Sequence, residues 1–207
     1  MKKLLVLLFV FSLFSLTSYA QMQFGVKAGL NISNLSGSDA GSPDSKTGFA
    51  GGVFFMYQFS NMFAIQPEAY YTMKGAKQKG NFEGYDYTAT LSLDYIEVPV
   101  LLKLIIPIQG SKINPSIFAG PSIGFNTTHK AKVEVAGQSS ESDMQNIKST
   151  DFGLVFGGGL GFPMGKNELG FDIRYILGLG TIDDSSAKSD VKNGVINFNA
   201  YFGFSLN

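Results

Sequence analysis

The sequence predicts an all-β chain: an eight-stranded antiparallel transmembrane β-barrel of the outer-membrane type, following a cleaved signal peptide. Three observations predict it. Large apolar residues alternate with small or polar ones along eight stretches, the period of strands with two unlike faces. The connections between those stretches alternate long and short, as when short turns close one rim and loops close the other. The apolar faces together carry on the order of forty large side chains, more than the inside of an eight-stranded barrel holds. Apolar outside and polar inside is stable only against lipid. A soluble barrel of lipocalin type, with the apolar face inward around a ligand, is opposed by that volume.

The N-terminus fits an exported protein. Lys2 and Lys3 precede an apolar run over 4–16, and Thr17-Ser18-Tyr19-Ala20 places small residues before a cleavage at Gln21. This reads as a secretory signal peptide over 1–20, too short and wrongly flanked for a spanning anchor, with the barrel domain over 21–207. The chain has no Cys, which rules out disulfides, thiolate metal sites and lipid attachment after cleavage. Lys and Arg total 16 and Asp and Glu total 16, so removing Lys2 and Lys3 leaves 14 against 16, a net charge of −2. No basic patch suggests a nucleic-acid partner. Glycine (25) and phenylalanine (19) are abundant and tryptophan is absent, which suits strands rather than helices.

In order, the strands are expected near 22–35, 47–59, 62–75, 85–106, 112–127, 150–162, 169–179 and 194–206. Long polar segments are expected over 36–46, 76–84, 128–149 and 181–193, and short turns at 60–61, 107–111 and 163–167. The stretch 169–179 shows the pattern at its clearest. Leu169, Phe171, Ile173, Tyr175, Leu177 and Leu179 alternate with Gly170, Asp172, Arg174, Ile176 and Gly178. In the fourth strand the apolar parity shifts from odd (Leu91, Leu93, Tyr95) to even (Ile96, Val98, Val100), which predicts a β-bulge near Tyr95-Ile96. In the longest loop, Ala131, Val133 and Val135 alternate again and predict a hairpin projecting past the lipid. Two aromatic girdles are expected, one with Phe24, Phe63 and Phe204, the other with Phe49, Phe125, Phe152 and Phe198.

Tyr95-Ile96-Glu97-Val98-Pro99-Val100-Leu101-Leu102-Lys103 resembles a stretch of the PorT-like outer-membrane β-barrel proteins of the Bacteroidota. Phe118-Ala119-Gly120-Pro121, Asp151-Phe152-Gly153-Leu154 and Asp172-Ile173-Arg174-Tyr175 resemble further stretches of that family, in the same order. The resemblance spans the mature chain. It implies a porin-like barrel in the bacterial outer membrane, and one namesake is linked to secretion.

Few residues invite chemistry. His129 stands in the longest loop near Ser139, Ser140, Glu141 and Asp143, but one His without a second His or Cys is a poor metal set, and its spacing specifies no triad. Gly157-Gly158-Gly159-Leu160-Gly161 lacks the Lys-Ser/Thr ending and the helix of a phosphate loop. Asp183-Asp184 and Glu141–Asp143 read as solvated loop charge. The inward charges are the candidate site: Lys27, Glu68, Glu97, Lys103, Asp172 and Arg174, with Lys74 beside them, expected to form one charge network in the lumen. Arg174 and Glu68 lie on strands four apart in a ring of eight and should face each other across it.

The expectation is therefore a structural or interaction protein whose loops meet a protein partner, with a secretion-accessory role as one form of it. The alternatives are a narrow small-solute pore and, more weakly, an enzyme using His129. The expected partners are outer-membrane lipid, the barrel-assembly machinery during insertion and an unidentified protein at the loops. No cofactor and no nucleic acid is expected.

Overall fold

A computed structural model describes residues 21–82, 84–186 and 189–206. The expected signal peptide over 1–20 lies outside the described residues. The described residues form nine strands: β1 (Gln21–Ser36), β2 (Asp44–Gln58), β3 (Phe63–Phe82), β4 (Tyr85–Ile105), β5 (Asn114–Val135), β6 (Gln138–Asp143), β7 (Thr150–Met164), β8 (Asn167–Gly178) and β9 (Lys192–Ser205). All pair antiparallel, and β1 pairs with both β2 and β9 while β4 pairs with β5, which closes the ring.

The ring itself has eight strands. The ninth, β6, pairs with β5 alone, over Lys130–Val135, so it stands outside the closed barrel. It is the return strand of the hairpin that the alternation of Ala131, Val133 and Val135 predicts. Its two-residue turn has positive φ at both Ala136 (49°) and Gly137 (81°), the geometry that matches strand twist.

Two expectations are corrected. The segment 76–84 is not a loop: β3 runs to Phe82 and β4 starts at Tyr85, in unbroken register from Tyr70↔Glu97 to Phe82↔Tyr85. Beyond the lipid both faces of a strand meet water, so Lys77, Gln78 and Lys79 carry no alternation to be read. The bulge expected near Tyr95-Ile96 is present at that height, between Asp94 and Tyr95, but it belongs to the partner strand. Inward parity in β4 stays odd throughout: Leu93, Tyr95, Glu97, Leu101 and Lys103 are all buried, and no side chain changes face. The register shift lies in the partner, where Asp94↔Thr128 is followed by Tyr95↔Asn126, leaving Thr127 of β5 unpaired. Thr127 Oγ1 (3.1 Å) and Asn126 Nδ2 (3.3 Å) both donate to the Asp94 carbonyl at that point. The apolar residues Leu91, Leu93 and Tyr95 mislead because they face inward, into a seal at the mouth.

The outer face is apolar and exposed, as at Leu30 (59 %), Phe152 (57 %) and Ile117 (54 %). The inner face is sorted into patches. Leu101, Phe118, Val155, Ile176 and Val195 form one apolar cluster. Phe54, Met56, Ala64 and Tyr201 form a second toward the end closed by the short turns. Leu93, Tyr95 and Ile182 form a third toward the loop end, packed by Leu35, Leu91, Ile147 and Val191. Ile182 belongs to the last loop, which folds over the mouth: Lys148 N donates to Ile182 O (2.9 Å) and Ile182 N to Val191 O (2.8 Å).

Candidate functional site: the charged lumen

Between the apolar patches the strands carry two buried ionic clusters. The first joins β1, β3 and β8. Arg174 Nη1 and Nη2 donate to Glu68 Oε2 (2.7 Å) and Oε1 (3.3 Å), and its Nε and Nη2 donate to Asp172 Oδ1 (2.9 Å) and Oδ2 (2.9 Å). Lys27 Nζ lies 2.7 Å from Glu68 and 3.6 Å from Asp172. Gln66 donates to Glu68 (2.7 Å) and Asn199 to Asp172 (2.8 Å). Two cations thus meet two carboxylates, and both carboxylates receive several donors, the condition under which buried charge is tolerated. The planar guanidinium serves two carboxylates at once, which a lysine ammonium does not.

The geometry follows from local sequence. Lys27 on β1 and Glu68 on β3 are separated by β2, whose inward residue in that row is Gly52 (Lys27↔Gly52, Gly52↔Tyr70). A Cβ on Gly52 would sit 2.2 Å from the Ala69 carbonyl oxygen and 2.4 Å from Tyr70 Cα. Glycine there lets Tyr70 lie close and Lys27 reach past. Gly157 does the same beside Arg174, whose Cα a Cβ would meet at 2.9 Å. The inward glycines of β7 therefore make room for the neighbouring strand's charge, and the run 157–159 lies within a strand rather than before a helix.

The second cluster lies nearer the loop end. Lys74 Nζ is 3.0 Å from Glu97 Oε2 and 3.5 Å from Asp151 Oδ2. Ser122 Oγ donates to Glu97 (2.8 Å), and Asn193 Nδ2 to Asp151 (2.8 Å) and to the Tyr95 hydroxyl (3.3 Å). A polar ladder runs from Asp172 across the wall: Asn199 donates to Asp172 and to Asn197, Asn197 to Asn31 (2.7 Å), and Asn31 to Thr72 (2.7 Å).

The expected single network is therefore divided. Lys27, Glu68, Asp172 and Arg174 come together. Glu97 does not join them but pairs with Lys74. Lys103 joins neither: its Nζ stands 5.4 Å from the centroid of the Tyr201 ring, and among the described residues no carboxylate lies within ion-pair distance of it. The reason is strand geometry. Six residues of β4 separate Glu97 from Lys103, about 20 Å at the usual strand rise, too far for one layer. Sequence reasoning missed Asp151, which its inward parity on β7 would have supplied, and the amides Gln66, Asn193 and Asn199. Aromatic rings lie under the other cations too: Phe54 near Lys27 (5.8 Å), Tyr95 near Lys74 (4.9 Å) and Phe118 near Arg174 (5.0 Å).

His129 is exposed, with Nδ1 2.9 Å from Asn126 Oδ1, while Glu141 pairs with Lys130 (2.7 Å). Outside the lumen, Asp183 organises the last loop. It accepts from Ser185 N (2.8 Å), Ser185 Oγ (2.8 Å) and Ser189 N (2.9 Å). The Ser185 backbone N–H, followed by the other donors, holds its carboxyl well below the usual range. Lys132 beside Glu134, and Lys130 beside Glu141, likewise lower those exposed carboxyls.

At the loop end, β3, β4, β5 and β6 continue as a four-stranded arm. Its register aligns Gln78↔Ala89, Ala89↔Val133 and Val133↔Ser140 on one face, and Lys77↔Thr90, Thr90↔Lys132 and Lys132↔Glu141 on the other. One face is thus charged. The other carries Tyr87, Val133 and Val135, with Phe82 (68 %) and Tyr85 (62 %) exposed at its tip.

The family described as "Outer membrane protein beta-barrel domain" matches residues 17–184. Among solved structures, a major outer membrane protein from Thermus thermophilus matches at 11% identity and a TM-score of 0.51, covering 88% of this chain and 99% of that one. Neisserial surface protein A matches at 19% identity, 86% and 95% coverage and a TM-score of 0.46. OprG from Pseudomonas aeruginosa matches at 12% identity, 91% and 96% coverage and a TM-score of 0.48. At such identities the Thermus likeness speaks for the fold alone. No curated protein matches.

Proposed function

The chain belongs to the outer membrane protein β-barrel domain family, and from that premise we propose that it acts at its surface rather than through its lumen. On this reading it is a non-conducting outer-membrane protein whose loop-end arm meets a protein partner outside the cell. The observation that carries the proposal is the burial of its lumen charges: Lys74 is 1 %, Arg174 2 % and Glu68 3 % exposed. A water-filled pore would leave such groups open to water. Here they are closed off by one another, and Leu93, Tyr95 and Ile182 seal the loop-end mouth. What remains available is the arm, whose exposed apolar face gives a partner something to bury.

The turn end faces the periplasm and the arm faces outward. The segment 1–20 delivers the chain for export, and the barrel-assembly machinery inserts it. The resemblance of Tyr95–Lys103 supports a PorT-like member of the Bacteroidota, and a secretion-accessory role is the form of partner-binding we carry forward. His129, bonded to Asn126, is read as a loop residue, and the protein as no enzyme.

The test is paired. Purified barrel in planar bilayers should show no steady conductance. Crosslinking in native membranes should capture a partner that is lost when Phe82→Ser and Tyr85→Ser are combined in a barrel that still folds. A stable open channel, with a crosslinking pattern indifferent to the arm, would replace this reading with the small-solute pore.

A further inference from the structure

Lys103 stands apart from the other inward cations. Lys27, Lys74 and Arg174 each touch a carboxylate, whereas Lys103 is buried (7 % exposed) with only the Tyr201 ring beneath its ammonium. Glu168, the carboxylate that lines the same turn-end cavity, is engaged with other donors. It accepts from the Tyr201 hydroxyl (3.0 Å) and from Asn114 Nδ2 (3.1 Å). An ammonium withdrawn from water without a counter-charge is costly. Lys46, also buried without a carboxylate, at least donates to the Lys74 carbonyl (2.9 Å), whereas Lys103 has the ring.

It is open toward a cavity. Lys103 lies in the wall of a cavity of about 390 Å³ at the turn end, bounded by strand ends and the short turns. That size falls within the range of small-molecule sites. Besides Lys103 the lining holds Lys166 and Glu168, and the rest of it is neutral and largely hydrogen-bonding, with the carboxamides of Gln21, Gln23, Gln58 and Asn61 among it. The Gln23 Oε1 is buried without a protein partner. The cavity thus offers, at depth, the ammonium of Lys103 without an ion-pair partner, and carboxamides that both donate and accept around it.

We infer that the turn-end mouth is a binding site for a small polar solute carrying one oxyanion, a carboxylate or a phosphate, whose charge pairs with Lys103 Nζ. The carboxamides hydrogen-bond the body of the solute, and Tyr201 supports the lysine from below. A lysine is a point charge, which suits either oxyanion and selects neither by shape. The volume exceeds that of a bare ion, so the site fits an anion attached to a small hydrogen-bonding body. The inference is independent of the loop-end arm: it concerns the opposite rim and stands whether or not a partner binds outside.

The experiment titrates the folded barrel, in detergent micelles and with assigned backbone amides, against two probes. Inorganic phosphate tests the phosphate arm, and N-acetyl-alanyl-alanine tests a peptide carboxylate. Saturable shifts centred on the turn-end mouth are expected with at least one probe, and which probe saturates identifies the source. Lys103→Met keeps the apolar stem and should weaken binding about tenfold or more, whereas Lys103→Arg should retain it. Glu168→Gln removes the carboxylate of the cavity lining and should tighten binding. Heat-modifiable mobility checks that each variant is folded. Should Lys103→Met fail to fold, the wild-type titration still decides by where the shifts fall. No saturable shift at the mouth with either probe, shifts confined to the loops, or binding unchanged in folded Lys103→Met would overturn the inference.

Discussion

Arg174→Leu is the sharpest perturbation of the lumen. The guanidinium donates four hydrogen bonds, two to Glu68 and two to Asp172, in a cluster of two cations and two carboxylates. Its removal leaves Lys27 as the cation facing both acids. Glu68 still receives Lys27 at 2.7 Å and Gln66, and Asp172 still receives Asn199, so neither carboxylate is orphaned. What is lost is charge balance in a buried site. Removing one partner of a buried pair costs about 3–5 kcal/mol, and the surviving donors put this case at the low end, about 3 kcal/mol. Glu68→Gln unbalances the cluster the other way, leaving two cations against Asp172. The double variant restores neutrality with Lys27 and Asp172, so its cost should fall short of the summed singles by about 1–3 kcal/mol. The assay is urea unfolding in lipid vesicles, read by circular dichroism and by the folded band on unheated gels, because the chain has no Trp to report. A single-variant loss below about 1 kcal/mol, the scale of exposed pairs, would refute the reasoning, as would strict additivity.

Three further outcomes are expected. Gly52→Ala places a methyl against Ala69 O and Tyr70 Cα and should destabilise the barrel by about 1–3 kcal/mol, measured by the same unfolding; a neutral result would mean that β2 yields more than its backbone contacts imply. Asp183 has its carboxyl depressed by donors from Ser185 and Ser189, so its contribution to loop order is present above the ordinary carboxylate pKa of about 3.9 and lost as pH falls through the lower folded value. Hydrogen exchange at the Ser185 and Ser189 amides should therefore accelerate only at that acid end, and Asp183→Ala should exchange fast at neutral pH too; slow exchange in Asp183→Ala would remove the carboxylate from the loop's account. Protease applied to whole cells should cut within 136–149 and spare the turn ends at Ser60 and Lys166; the reverse pattern would invert the orientation.

The fold was legible where lipid imposes a rule. Outward residues such as Leu30, Phe152 and Phe198 alternate because lipid touches each second position, and the ring of eight strands follows from them. Where the constraint ends, the reading fails in a physically specific way. Lys77 to Lys79 look like loop because a strand solvated on both faces has no hydrophobic signature, yet the backbone pairing of the hairpin carries on. Leu91, Leu93 and Tyr95 look lipid-facing because a chain pattern cannot distinguish lipid from a dry seal under a loop. Here Ile182, far later in the chain, supplies the other half of that seal.

The lumen charges were legible as a set but not as an arrangement. Parity alone puts Lys27, Glu68, Glu97, Lys103, Asp172 and Arg174 inside, since each sits opposite an outward apolar residue. Which of them meet depends on height, and height depends on the stagger between strands that closing a barrel imposes. Lys74 and Glu97 meet because β3 and β4 register Tyr70 against Glu97, bringing a side chain four residues further along β3 within reach. Lys103 is carried by the same strand in the other direction, past the Arg174 cluster and down to the Tyr201 ring. The same stagger that balances one cluster thus leaves a lysine uncompensated at the turn end. A charge that strand geometry has separated from the carboxylate clusters, and that opens onto a cavity, is the place in this barrel where the inferred oxyanion would find its counter-charge.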